Sequence, residues 1–203
     1  MDNRILDNIT ELIDTRNIDK IVIDSIKEIR FNKKSLWQYV VSCVIGSITA
    51  YIVAFNYGTV SVMAEITVLL FNTSIVTVGV VLGAYSIFQA LMQKELVLIL
   101  IKSDKNLLST GNKSFLNLII LNVINAVISL TAKIILSAMG KEFYVFDNMR
   151  LNNTISTVLI LFYIVFNLLL LMELIVFATN LYRMFCVYNV ISALNVVKDD
   201  QEK

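Results

Sequence analysis

Residues 66–93 read ITVLLFNTSIVTVGVVLGAYSIFQALMQ. These 28 residues sit between Glu65 and Lys94 and carry no charge. A helix needs about 20 mostly apolar residues to cross about 30 Å of hydrocarbon, so this stretch predicts a membrane span. Three further uncharged stretches lie between Lys34 and Glu65, Lys113 and Lys133, and Arg150 and Glu173. Closed β-barrels also cross membranes, but they use short alternating segments rather than long apolar runs. The expected fold is therefore all-α, a polytopic membrane protein with four transmembrane helices. The spans are placed at about 36–57, 66–93, 115–139 and 154–182, within a membrane domain over 35–182.

Composition agrees. Of 203 residues, 57% are hydrophobic and 16% charged, and mean hydropathy is +0.75. A soluble domain averages about 25% charged. Net charge is +1, which excludes nucleic-acid binding through bulk charge. The apolar runs begin after more than thirty residues, so no cleavable signal peptide is expected at the start. Gly58, Gly111 and Gly140 fall in the three expected connections, where helices end.

Lys and Arg set the orientation. The segment before the first span holds Arg4, Arg16, Lys20, Lys27, Arg30, Lys33 and Lys34. The second connection holds Lys94, Lys102, Lys105 and Lys113, and the tail Arg183, Lys198 and Lys203. The first connection has none and the third only Lys141 and Arg150. The positive-inside rule then places both termini in the cytoplasm.

Residues 1–34 read as two short amphipathic helices. Ile5, Leu6, Ile9, Leu12 and Ile13 form one stripe, and Ile18, Ile21, Val22, Ile26 and Ile29 a second, out of phase around Asn17. Up to Phe31 seven acidic residues outnumber five basic ones, whereas a helix lying on anionic lipid is usually Lys/Arg-rich. The segment is thus either a lid over the chain's own loops or a docking surface for a cytoplasmic protein. The patterns over 66–101 and 154–197 outrun the bilayer at 1.5 Å per residue. Leu96–Ile101 and Met184–Val197 are expected to project and build a small cytoplasmic helical cap, with 183–203 as a helical tail.

Inside the spans, Ser42, Gly46, Ala50 and Ala54 recur every four residues. Gly79 and Gly83 do likewise, continued by Ser86 and Ala90. Small residues at this spacing let helix backbones approach closely, so these residues form a candidate packing face, within one copy or between copies. Asn122, Asn125, Ser129 and Lys133 share a face of the third span, and the fourth carries Asn167 and Glu173. Polar groups avoid lipid. Asn122, Asn125, Asn167 and Glu173 are therefore a candidate intramembrane site, serving either interhelical hydrogen bonding or a polar path. Lys133 and Glu173 are expected at different depths and unpaired.

No His is present, and Cys43 and Cys186 form no metal-binding pattern. The stretch 109–114 lacks the order of a phosphate-binding loop. No catalytic residue, cofactor or metal is expected, and no enzyme.

The order of a basic N-terminal segment, a helix pair with Gly-Ala-Tyr-Ser-Ile-Phe-Gln at 83–89, a charged connection and a second helix pair resembles small four-span membrane proteins of bacterial antiphage defence operons. The resemblance is one of architecture over most of the chain and involves no diagnostic motif. It implies an oligomeric membrane effector or sensor with a cytoplasmic partner. Two other readings stay open: a small channel or transporter with its own ligand, and a passive anchor or immunity-type protein.

Overall fold

A computed structural model describes residues 18–28, 36–56, 58–92, 97, 107–139 and 148–201. The helices delimited among the described residues are α1 (Ile18–Glu28), α2 (Leu36–Ala54), α3 (Thr59–Ala90), α4 (Leu107–Ala138) and α5 (Met149–Gln201). No strand occurs among the described residues. Helices α2 to α5 are each long and apolar enough to cross a membrane. The chain is an all-helical, multi-pass membrane protein.

Several helix ends differ from expectation, for local reasons. Helix α3 begins at Thr59 rather than near Ile66. Thr59 donates its hydroxyl proton to the carbonyl of Asn56 at 2.8 Å, and Ser61 to that of Gly58 at 2.8 Å. Helix α5 begins five residues before Thr154 because Asn148 caps it, accepting from the Arg150 amide at 3.0 Å. Gly111 lies inside α4 instead of in a connection. A glycine costs a helix about 1 kcal/mol, too little to end one that continues into an apolar span. Helix α3 stops at Ala90, so the expected run to Ile101 ends short. Helix α5 does continue, for 53 residues and about 80 Å, so the tail is a direct extension of the fourth span. The first amphipathic stripe, Gly140 and most of 96–101 lie outside the described residues.

The pairing of helices is not sequential. Helix α3 packs chiefly along α4, and α2 chiefly along α5; α4–α5 and α2–α3 contacts are smaller. Helix α1 sits on α4. Two apolar cores result. One joins Ala50, Val53 and Ala54 to Met63, Ile160 and Ile164. The other, toward the α1 end, centres on Val81, Phe88, Phe115 and Leu118, with Phe177, Met184 and Tyr188 against it. Phe115 is its hinge pin, with ring centroids 5.0 Å from Tyr85, 5.7 Å from Phe88 and 4.8 Å from Phe177. Such ring pairs add about 0.5–1.5 kcal/mol each beyond area burial. The outward residues of α2 and α5 are large and apolar, including Val44, Ile48, Tyr51, Leu159, Phe162 and Ile175, as a lipid-facing surface requires.

Candidate functional site: a midplane amide cluster and a carboxylate cleft

Hydrogen bonds fix the levels of the helices. The 19 residues of α2 measure about 28 Å, so this helix by itself marks the hydrocarbon slab. Gly46, near its middle, lies against Val165 of α5. Asn167 is two residues further on. It accepts from Nδ2 of Asn125 at 2.7 Å, and the same Nδ2 donates to Ser74 Oγ at 2.7 Å. The amide cluster of Asn125, Asn167 and Ser74 therefore lies within one helical turn of the bilayer midplane, joining α3, α4 and α5.

The donors of this cluster are accounted for. Ser74 Oγ passes its proton to the Leu70 carbonyl at 2.9 Å, and Asn167 Nδ2 donates to the Tyr163 carbonyl at 2.9 Å. Asn125 is 2% exposed and spends both Nδ2 protons, while its Oδ1 has no partner among the described residues. Four residues along α4, Ser129 Oγ meets Tyr163 Oη at 2.7 Å. In the other direction, buried Asn122 donates to its own helix at the Leu118 carbonyl, 2.9 Å. Asn125 and Asn167 are thus brought together, with Asn122 beside them on α4.

Glu173 is apart from that cluster. It lies six residues past Asn167, level with Ile119, and so about 21 Å along the bundle from Lys133. At this level α4 and α5 enclose a half-open cleft of about 160 Å³. Its walls include the polar side chains of Ser114, Asn117, Glu173 and Asn180 and the ring of Phe177. The Glu173 carboxylate also acts electrostatically on Tyr39 near the start of α2.

Helix α1 reaches the same cleft. Ser25 is fully buried, its Oγ 2.7 Å from Oδ1 of Asn117 and 2.8 Å from the Ile21 carbonyl. A hydroxyl has a single proton, so both contacts are satisfied together when the Asn117 amide is turned to donate its Nδ2 proton. Sequence reading did not single out Ser25. The available signal was a Ser within the apolar stripe of α1, between Val22 and Ile26.

The small residues divide. On α2, Ser42, Gly46, Ala50 and Ala54 are all buried. A Cβ added at Gly46 would lie 2.5 Å from Val165 Cγ2, so that glycine admits α5. On α3, a Cβ at Gly79 or Gly83 would meet no described residue within 4 Å. Those two glycines face outward.

Among the described residues no group of three metal-ligating His, Cys, Asp or Glu side chains forms. No known protein family, curated protein or solved structure matches the chain.

Proposed function

We propose that the protein is an oligomeric effector or sensor of the bacterial inner membrane, with both termini cytoplasmic, working with a cytoplasmic partner in antiphage defence. The observation that carries this reading is the Ser25–Asn117 contact, which ties an extramembrane helix to the rim of the Glu173 cleft. A partner that lifts α1 breaks the Ser25–Asn117 contact and opens the cleft to water beside a carboxylate. Asn122, Asn125 and Asn167 continue the polar seam from there toward the midplane. The output is then a leak of protons or ions, read by the cell as loss of membrane integrity.

The orientation rests on the charge bias, fourteen Lys and Arg at one end against two at the other. With Cys43 and Cys186 replaced by Ser, Gly58→Cys and Asp147→Cys are labelled from outside intact cells and Asn106→Cys is not. Protection of Asp147→Cys would reverse the assignment.

The activity is tested by membrane depolarisation on induced expression, with protein level and assembly measured alongside. Ser25→Leu, which removes the tether, increases the leak. Glu173→Gln keeps shape and hydrogen-bonding capacity but removes the charge, and abolishes the leak without changing assembly. A fully active, assembled Gln variant would remove Glu173 from the mechanism, and silence of the parent and both variants would favour a passive anchor. A second reading, a small channel or transporter with its own ligand, is favoured by the unpartnered Asn125 Oδ1 in the middle of the seam. It requires a solute that stabilises the protein and protects the cleft.

A further inference from the structure

Helix α3 carries a regular outward stripe. Glu65, Leu69, Asn72, Val76, Gly79, Gly83, Ser86 and Ala90 are all exposed, and their spacing alternates four and three. That is a strict period of 3.5, the repeat with which helices wrap around one another with left-handed supercoil. Lipid would be a poor neighbour for it. Asn72 is two residues from Ser74 and so lies near the bilayer midplane, yet its side chain makes no hydrogen bond to any described residue. Hydrocarbon offers an amide nothing to bond with. The segment GVVLG at 79–83 adds a G-x-x-x-G pair whose glycines admit a close backbone, and no described residue of this chain uses it.

We propose that this stripe is where a second copy of the chain docks, α3 against α3, about a two-fold axis along the membrane normal. The inference deepens the oligomeric part of the reading above and rests on it. Such an axis keeps every residue at its own level, so Asn72 of one copy meets Asn72 of the other. An amide carries both donor and acceptor, and the two satisfy each other reciprocally. Gly79 and Gly83 let the backbones close on this pair.

The test is cysteine cross-linking of the full chain in nanodiscs, in a Cys43→Ser, Cys186→Ser background. Gly79→Cys, Gly83→Cys and Ser86→Cys form intermolecular disulfides under oxidant. Val80→Cys, Leu82→Cys and Ile87→Cys, also exposed but off the stripe, do not. Gly79→Leu lowers dimer affinity by about tenfold and leaves the protomer folded, because no described residue of its own chain stands in the way. A dimer or larger oligomer that cross-links only off the stripe overturns this interface and spares the oligomeric reading. A monomer overturns both. Stripe cysteines that react with a water-soluble thiol reagent but never cross-link would make the stripe a water-facing wall, and would also overturn the docking.

Discussion

Helices α2 and α3 carry the same signal, small residues four apart, and put it to opposite uses. On α2 the signal is spent inside the chain. Gly46 admits Val165, and Ala50 is completely buried among Val53, Met63, Ile160 and Ile164. On α3 the glycines stand in the open, while the helix's opposite side, with Met63, Thr67, Ser74, Val81 and Phe88, faces the bundle. A small-residue stripe thus reports that something comes close, and only the fold tells whether that something is the same chain.

The sharpest way to break this comparison is to fill both kinds of glycine with the same side chain. Gly46→Leu forces apart α2 and α5, costs about 3 kcal/mol, and should show as loss of folded protein in a denaturant titration of helicity. Equal tolerance of Leu at Gly46 and at Gly79 would erase the distinction between the two faces.

A second substitution asks whether the bundle interior depends on its amides as much as on its glycine. Asn125→Leu removes both donors of the midplane cluster and leaves Asn167 Oδ1 without a partner. It should cost about 2 kcal/mol in the same titration. Cost-free replacement would mean that the cluster contributes nothing to holding α3, α4 and α5 together.

A smaller effect is expected at Tyr163→Phe, which deletes one hydroxyl contact with Ser129 and leaves the ring in place. Interhelical hydrogen bonds in membranes average about 0.6 kcal/mol, and a shift of that size is expected. The smallest effect belongs to Gly79→Leu, whose protomer stability should match the parent within about 0.5 kcal/mol, the scatter of substitutions away from packed features. Loss of the folded protomer at Gly79→Leu would place α3's outer face inside the fold and sharpen the comparison into a contradiction.

Much of the architecture was legible because the bilayer imposes a rule that a single sequence can obey visibly. Twenty uncharged residues are needed to cross hydrocarbon, and the four stretches between Lys34 and Glu173 announce themselves without any knowledge of contacts. The inward placement of Asn122, Asn125 and Asn167 was legible for the same reason: an amide costs too much in lipid, and their spacing along α4 and α5 fixes a face. Asn72 obeys the same physics from the outward side, and no periodicity within the chain says which of two polar faces on neighbouring helices turns in.

What sequence alone determined is therefore a set of spans, their number and the character of their faces, since these depend on solvent transfer residue by residue. Tertiary structure decided the partners. Pairing of α3 with α4 and α2 with α5 depends on which surfaces fit once all four helices compete, as at Gly46 and Val165. It also decided that Ser25 reaches Asn117, 92 positions away along the chain. A hydrogen bond of about 1 kcal/mol leaves no periodic trace in a sequence; it exists only because packed helices hold its two ends within 3 Å.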